Sequence, residues 1–165
     1  MSDFSSYPRI GLGIDLHRLA PGRPCVLGGV KIDSDVGPVG HSDGDAVLHA
    51  LADAVLGAAG EPDLGTVFSD KDPRNAGRDS VEFCVEAIAR ATRKGLRVVS
   101  VDVVVETERP KLKPHRDAIR SKLAAICGGL PLDRVNLKGK TGEGLDAIGQ
   151  GFALRATVTV LLAGG

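Results

Sequence analysis

Apolar and other residues alternate at the start of the chain and predict a β-strand over residues 9–17, RIGLGIDLH. Successive side chains of a strand point to opposite faces of its sheet, so every second residue lies on the same side. One face of this strand carries four apolar side chains, those of Ile10, Leu12, Ile14 and Leu16. Asp15 and His17 lie together on the opposite face. The pattern therefore places a carboxylate and an imidazole side by side.

A hairpin and a helix follow this strand. The segment CVLGGVKI predicts a short hairpin around Gly28-Gly29. Apolar residues then recur three and four apart, which predicts a helix at about 44–60. Ser42 and Asp45 have the spacing of a capping box, with Ser42 as the cap. The polar segment over residues 60–77 is expected to be a long loop, and such loops in compact domains are often functional.

The second half of the chain adds two helices and three strands. Asp79 is expected to cap a helix that ends at Gly95, and Pro114 to open another that stops at Gly128-Gly129. Strands are predicted for LRVVSVDVVVE, RVNLKGK and FALRATVTVLL. The complete order predicts an α+β fold. We expect a two-layer sandwich in which a mostly four-stranded mixed sheet carries three helices on one face, beside the short hairpin.

Length and charge limit the classes of protein. The 165 residues favour one domain over residues 1–165, with residues 1–8 as a flexible N-terminus. Lys and Arg together number 21, as do Asp and Glu, and this zero net charge argues against nucleic-acid and membrane partners. Three widely spaced cysteines favour free thiols in a reducing compartment. We expect a cytoplasmic bacterial protein, or one of the plastid stroma if the chain is a trimmed plant sequence.

Three side chains of the first strand and the first helix have the chemistry of a metal site. Asp15 and His17 leave the same face of a strand, and His49 lies one helical turn after Asp45 on a polar stripe that also holds Asp53. If this helix packs on the strand, His49 completes an Asp/His/His set. Imidazole and carboxylate suit zinc, and three protein ligands leave one position open. In the alternative interpretation, the first two residues form a surface pair and the third is an ordinary helix-face histidine.

The start of the same helix has a second chemical feature. His41 and Ser42 lie where free backbone N–H groups and the helix dipole favour a phosphate oxygen. A plain helix cap is the alternative interpretation, and for Ser42 the two roles are compatible. A zinc ion beside a phosphate-binding helix end indicates phosphate chemistry.

Five stretches, taken in order, resemble one family. They are GIDLH, GHSDGDAVLHALADAVLGAAG, PDLGTVFSDKDP, ERPKLKPH and VNLKGKTGE, and the resemblance extends over roughly residues 9–162. The chain resembles the 2-C-methyl-D-erythritol 2,4-cyclodiphosphate synthases, which are phosphorus–oxygen lyases of the non-mevalonate isoprenoid pathway. The resemblance implies a homotrimer with active sites between neighbouring subunits. It also implies a small-molecule substrate, 4-diphosphocytidyl-2-C-methyl-D-erythritol 2-phosphate, whose 2-phosphate attacks the β-phosphorus and releases CMP.

The same resemblance implies residue roles. The implied zinc ligands are Asp15, His17 and His49. Glu143 is implied as the protein ligand of a second divalent ion, Mg²⁺ or Mn²⁺, and His41 and Thr141 as the catalytic residues that stabilise the transferring phosphoryl group. The implied substrate-binding residues are Ser42, Asp63, Leu64, Gly65, Phe68, Asp70 and Asp72. The implied cytidine-diphosphate pocket of the adjacent subunit consists of Thr107, Pro110, Lys111, Leu112, Lys113, Lys140, Thr141 and Gly142.

The chain departs from the family near its end and in one loop. Ser69 stands where the family often has proline. Ala147, Gln150 and Phe152 replace a phenylalanine, an arginine and a glutamate that many members carry. For those members, the family resemblance implies that the arginine and the phenylalanine line a cavity on the trimer axis, and that this cavity can hold a prenyl diphosphate. We therefore expect this chain to bind geranyl or farnesyl diphosphate weakly or not at all.

Two other functions remain open at this point. A zinc-dependent phosphohydrolase would use metal-bound water to attack a phosphate and would release free phosphate. A non-enzymatic module would bind a nucleotide or a metal without turnover, although it would have no need for an open zinc position beside a second metal ligand.

Overall fold

The computed structural model describes residues 7–40, 42–69 and 77–164. Within these ranges, the strands are β1 (Arg9–Pro21), β2 (Cys25–Leu27), β3 (Val30–Ile32), β4 (Val36–Pro38), β5 (Leu96–Glu106), β6 (Val135–Lys140) and β7 (Ala153–Gly164). The α-helices are α1 (Ala46–Ala58), α2 (Leu64–Val67), α3 (Ser80–Arg93), α4 (Arg116–Ile126) and α5 (Asp146–Gly149). Short 3₁₀ turns span Lys113–His115 and Leu132–Arg134.

Five strands form the main sheet in the order β4-β1-β7-β5-β6, and β2 and β3 form the predicted hairpin. Neighbours are antiparallel except β5 and β6, so the sheet is mixed. The α+β class is confirmed, but the expectation of a mostly four-stranded sheet was wrong by one strand. The additional strand is β4, which pairs with the end of β1. Its sequence, Val-Gly-Pro, is too short and too rich in turn residues to be recognised from its pattern.

Two glycines set the distance between α1 and the sheet. A Cβ atom added to Gly11 would lie 1.9 Å from the carbonyl oxygen of Ala54, and one added to Gly13 would lie 2.0 Å from that of Ala50. No side chain fits in this space, so α1 rests directly on the backbone of β1. The helix is buried along most of its surface, and only His49, Asp53 and Gly57 escape full burial. His49 and Asp53 of this narrow stripe line the candidate site.

The opposite face of β1 is apolar and exposed. Ile10, Leu12, Ile14 and Leu16 are 72%, 59%, 57% and 60% exposed. The buried residues of β5, β6 and β7 lie instead on the helix side, in register with Gly11 and Gly13. Within the described ranges, nothing covers the outer face. We call the four exposed residues the outer strip.

Asp45, not Ser42, caps α1. The Asp45 carboxylate accepts hydrogen bonds from the backbone N–H groups of Val47 and Leu48, both at 3.1 Å. It also accepts from Gly28 at 2.8 Å and Gly29 at 2.6 Å, so it joins the hairpin turn to the helix. Asp45 is 0% exposed, and burial raises its pKa to about 6 although the backbone donors oppose the shift. The predicted capping box was therefore wrong, and the helix begins at residue 46.

The remaining segments need smaller corrections. The predicted loop at 60–77 contains the four-residue helix α2, which Asp63 caps by accepting from the N–H of Thr66 at 2.8 Å. The helix expected to open at Pro114 begins as a 3₁₀ turn and becomes α-helical at Arg116. All three cysteines are free and buried, as expected. Among the described residues, no helix is both long and apolar enough to cross a membrane.

Candidate active site

Three potential metal ligands meet where α1 rests on β1. Asp15 and His17 point from β1 toward the helix, and His49 points from α1 toward the strand. The Oδ2 atom of Asp15 lies 2.9 Å from Nε2 of His17 and 3.0 Å from Nδ1 of His49. The three ligand atoms lie within 4.8 Å of one another. The residues can therefore hold a divalent metal ion, and the interpretation of Asp15 and His17 as an isolated surface pair was wrong.

The hydrogen bonds of His17 support a metal at this point. Its Nδ1 lies 2.9 Å from the carbonyl oxygen of Val39, which can only accept, so Nδ1 carries the proton. Nε2 of the neutral ring then offers a lone pair. That atom is buried and lies 2.9 Å from the Asp15 carboxylate, which can only accept, so in the neutral ring two lone pairs would face each other. A buried polar atom without a partner is costly, and a cation coordinated by Nε2 would remove this cost.

The carboxylate of the cluster also suits a cation. Burial raises the pKa of Asp15, but the contacts with His17 and His49 together lower it by more than burial raises it. The resulting pKa lies well below the usual range for an aspartate. The contact with Asp15 raises the pKa of His17, although burial opposes this shift, so a metal ion has to displace a proton from this ring when it binds. The carboxylate is thus ionised at neutral pH and available to a metal ion.

A concavity opens directly onto these ligands. Its lining includes Ser42, Leu64, Gly65 and Phe68, four of the residues that the resemblance implies for substrate binding. Asp63, a fifth, lines an adjoining depression. The side chain of Asp53 accepts a hydrogen bond from the N–H of Leu64 at 2.9 Å, so α1 holds α2 beside the metal ligands. His41, Asp70 and Asp72 lie outside the described residues.

A second concavity lies at the other edge of the sheet, between β6, the segment that follows β5 and the start of α4. Seven of the eight predicted cytidine-diphosphate residues line it: Thr107, Pro110, Lys111, Leu112, Lys113, Lys140 and Thr141. Gly142 follows directly in the chain. Arg116, Leu137 and Gly139 also contribute and were not anticipated. Three lysines and an arginine around one concavity favour an anionic ligand.

The turn after β6 is held by an acidic side chain. Glu108 accepts hydrogen bonds from the N–H groups of Gly142 at 2.9 Å and Glu143 at 3.1 Å. Glu143 is exposed and has a φ angle of +50°, which is uncommon for a residue with a side chain. Among the described residues, the only metal-capable cluster is the Asp15 set, so Glu143 is not part of a preformed ligand group. Any ion at Glu143 would need other ligands from substrate or water.

Strand register places both concavities at the same end of the sheet. Leu16, which lies between Asp15 and His17, pairs with Arg155 of β7. Arg155 pairs with Glu106 of β5, and Glu106 with Lys140 of β6. At roughly 4.8 Å per strand, the metal ligands and Lys140 are about 14 Å apart across the sheet. The two concavities share no lining residue.

Comparison with known proteins identifies the family. The YgbB family model matches residues 8–163. The chain belongs to the YgbB family. A 2-C-methyl-D-erythritol 2,4-cyclodiphosphate synthase of Burkholderia thailandensis is 47% identical over 154 residues, which cover 93% of this chain and 94% of the relative. The synthase of Paraburkholderia xenovorans is also 47% identical, with 93% and 96% covered. The resemblance inferred from the five stretches is confirmed.

Solved structures of similar sequence share the fold. A 2C-methyl-D-erythritol-2,4-cyclodiphosphate synthase in a CDP-bound form superposes with a TM-score of 0.87 at 45% identity, covering 93% of this chain and 99% of that one. The CDP complex of Plasmodium falciparum IspF has a TM-score of 0.85 at 32% identity, covering 98% and 99%. The bifunctional IspDF of Campylobacter jejuni has a TM-score of 0.92 at 34% identity, covering 98% of this chain and 43% of the longer one.

Two residues near the Asp15, His17 and His49 cluster were missed by sequence reasoning. Ser80 is fully buried, and its Oγ lies 2.9 Å from Nε2 of His49. Asp43 hydrogen-bonds to Ser80. Asp79, the residue before Ser80, was expected to cap a helix and does so. Nothing in the local sequence pattern, however, places Ser80 beside His49. Only the packing of α3 on α1 brings them together.

Proposed function

We propose that this chain converts 4-diphosphocytidyl-2-C-methyl-D-erythritol 2-phosphate to 2-C-methyl-D-erythritol 2,4-cyclodiphosphate with release of CMP, a lyase reaction of the non-mevalonate isoprenoid pathway. The observation that carries the proposal is the convergence of Asp15, His17 and His49, whose ligand atoms lie within 4.8 Å of one another beside an open concavity. It occurs in a chain that is 47% identical to synthases of this name.

The bonds exchanged need no nucleophile from the protein. An oxygen of the 2-phosphate bonds to the β-phosphorus, and the bond from the β-phosphorus to the bridging oxygen breaks. CMP leaves with that oxygen. The reaction is intramolecular, and correct positioning alone can supply roughly 7–11 kcal/mol of the barrier. The protein therefore has to fold the substrate back on itself and neutralise its charge, and the lysines of the second concavity support this role.

Two metal ions complete the proposed site. Asp15, His17 and His49 would hold zinc, and three protein ligands leave a position for a substrate oxygen. When bound, zinc supplies a Lewis acid that draws charge from a phosphate oxygen. Glu143 would be the protein ligand of Mg²⁺ or Mn²⁺. Hard cations are commonly held by one or two carboxylates together with substrate phosphates, which fits a lone exposed Glu143.

The remaining residues take the roles that the family resemblance implies. His41 and Thr141 would stabilise the transferring phosphoryl group. The methylerythritol part would be held by Ser42, Asp63, Leu64, Gly65, Phe68, Asp70 and Asp72. The second concavity, with Gly142 at its edge, would bind the cytidine diphosphate. We further propose that the chain forms a single domain and acts in the bacterial cytoplasm, or in the plastid stroma if it is a trimmed plant sequence.

We also propose a homotrimer with active sites between adjacent subunits. The outer strip supports this, because more than half the surface of each of its four large apolar residues is exposed in the single chain, and patches of this kind mark interfaces. Light scattering on the purified protein should give three times the mass of one chain. Leu16→Asp should dissociate the assembly, because it would bury a carboxylate in an apolar contact.

A direct assay distinguishes the candidate functions. The protein is incubated with the cytidyl substrate and Mg²⁺ and followed by ³¹P NMR. We expect the cyclic diphosphate and CMP in equal amounts. Inorganic phosphate would instead identify a phosphohydrolase, and an unchanged spectrum a binding module. Either result would refute the proposed cyclisation.

A mixing experiment tests whether sites span subunits. His49→Ala should lack the metal half of the site and Lys111→Ala the cytidine half, so each variant alone should be nearly inactive. In randomly mixed cyclic trimers, about a quarter of the interfaces would combine two intact halves. Activity should therefore reappear on mixing. If it does not, although mixed trimers form, each subunit contains a complete site.

A further inference from the structure

A short chain of hydrogen bonds reaches the far side of the His49 ring. Nδ1 of His49 faces Asp15 at 3.0 Å, whereas Nε2 lies 2.9 Å from the hydroxyl oxygen of Ser80. Both the hydroxyl and the backbone N–H of Ser80 donate to the carboxylate of Asp43, the latter at 3.2 Å. Ser80 is 0% exposed, so water does not compete for these bonds.

The proton positions in this chain follow from donor and acceptor chemistry. An ionised carboxylate only accepts hydrogen bonds, so the single hydroxyl proton of Ser80 points to Asp43. The oxygen of Ser80 can then only accept from His49. Nε2 must therefore carry a proton, and Nδ1 of the neutral ring keeps its lone pair. That lone pair is directed toward Asp15 and His17, where the proposed zinc ion would lie.

A neighbouring hydroxyl is compatible with the opposite arrangement. The oxygen of Ser42 lies 3.1 Å from the same Nε2 atom of His49 and accepts the N–H of Gly44 at 3.3 Å. Its own proton has no fixed acceptor among these contacts, so it could be donated to Nε2. His49 would then carry its proton on Nδ1, bond to Asp15 and be unable to bind a metal. The pair Asp43–Ser80 excludes this tautomer, because it fixes Nε2 as the donor.

We propose that Asp43 and Ser80 are positioning residues that hold His49 in its metal-binding tautomer and orientation. The inference rests on the proposed zinc site and extends it. Residues that hydrogen-bond to metal ligands typically change metal affinity by about 10- to 100-fold when they are removed. We expect a loss of this size for zinc in Ser80→Ala.

The test measures zinc binding and the His49 tautomer, not turnover. Zinc affinity is measured by chelator competition for the wild type, Ser80→Ala, Asp43→Asn and the matched control Ser42→Ala. Long-range ¹H–¹⁵N spectra of histidine-labelled, zinc-loaded protein report which nitrogen carries the proton, with His49→Ala to assign the signal. In the wild type we expect a slowly exchanging Nε2 proton on His49 and a metal-bound Nδ1.

Asp43→Asn provides a nearly isosteric second variant in case Ser80→Ala folds poorly. Its amide NH₂ group would face one of the two donors of Ser80, so it should weaken zinc binding and speed exchange of the Nε2 proton. Ser42→Ala removes the competing hydroxyl, together with its bond to the N–H of Gly44, and should leave zinc affinity and the tautomer unchanged.

The outcomes separate this inference from the proposed function. Wild-type zinc affinity and an unchanged Nε2 signal in both folded variants, Ser80→Ala and Asp43→Asn, would overturn the positioning role while the zinc site stands. Equal zinc binding by the wild type and His49→Ala would remove His49 from the proposed zinc site and overturn this inference with it. Weak binding by Ser42→Ala, equal to that of Ser80→Ala, would refute the direction assigned to the protons.

Discussion

Gly13→Ala should damage the metal site by separating α1 from β1. The added Cβ would lie 2.0 Å from the oxygen of Ala50 and 2.8 Å from the nitrogen of Ala54, where ordinary contact begins at 3.4 Å. Both opposing atoms belong to the helix backbone, so no side-chain rotation can relieve the overlap. The shortfall at the closer atom requires a local displacement of about 1.4 Å.

This displacement acts directly on the ligand geometry. Asp15 follows Gly13 on β1, and His49 precedes Ala50 on α1, so the ligands lie on the two surfaces that are pushed apart. Nδ1 of His49 and Oδ2 of Asp15 are 3.0 Å apart, and the displacement would widen this to at most about 4.4 Å. Ligand distances near 2.1 Å in a tetrahedral site allow roughly 3.4 Å between ligand atoms. We therefore expect zinc affinity to fall on the order of 100-fold.

The fold should weaken less than the metal site. Overpacking typically costs about 1–3 kcal/mol, which corresponds to a fall in Tm of roughly 2–12 °C for a domain of this size. Gly57→Ala is the matched control on the same helix, because a Cβ atom added to Gly57 would meet no described residue of a neighbouring element within 4 Å. Alanine there should stabilise the helix by up to about 1 kcal/mol and leave zinc affinity unchanged.

Chelator competition measures the zinc affinity, and thermal melting of metal-free protein the stability, of the wild type, Gly13→Ala and Gly57→Ala. The reasoning would be refuted by a folded Gly13→Ala variant that binds zinc as tightly as the wild type. A Gly57→Ala variant that lost zinc equally would show that any alanine in this region disturbs the site.

Four further outcomes are expected. His49→Ala should lose zinc and cyclisation while the fold persists; full zinc occupancy by metal analysis would remove it from the ligand set. Glu143→Gln should keep zinc but need more Mg²⁺ or Mn²⁺, because hard cations prefer charged oxygens; an unchanged metal titration would assign the second ion elsewhere. In metal-free protein, the contact with Asp15 raises the pKa of His17, so this contact stabilises the fold at low pH and stops doing so as pH rises through that pKa. Zinc, in contrast, requires the neutral ring of His17. The rise in Tm on adding saturating zinc should therefore grow with pH, and a rise that stays flat or declines would contradict this. With Gln150 in place of arginine, calorimetry should show weak or no geranyl diphosphate binding; micromolar binding that persists with CMP bound would contradict this.

Sequence periodicity predicted the elements with long, regular patterns. The strands β1, β5, β6 and β7 and the helices α1, α3 and α4 all lie close to their expected positions. The placement of Asp15 and His17 side by side followed from strand alternation alone, because residues two apart in a strand always lie on the same face of the sheet. The approach of His49 required one assumption, that the first helix packs on the first strand, and the structure supports it.

The failures share a physical cause, which is dependence on distant chain segments. Ser42 and Asp45 are both acceptable helix caps by local rules. The preference for Asp45 comes from the N–H groups of Gly28 and Gly29, which only the folded hairpin brings near. The helices α2 and α5 have four residues each and are too short to show a period. Ser80 joins the site through the packing of α3 on α1.

The alternation along β1 links the metal site to the proposed assembly. An apolar strand face would ordinarily be the one buried under a helix, yet α1 lies on the face of Gly11 and Gly13. This choice gives the helix its close approach and brings His49 within reach of Asp15. It also leaves the outer strip without a covering element among the described residues. The same two-residue period that brings the proposed metal ligands together therefore creates an apolar surface that another copy of the chain can cover. For this reason, we expect metal binding and trimer formation to depend on opposite faces of β1.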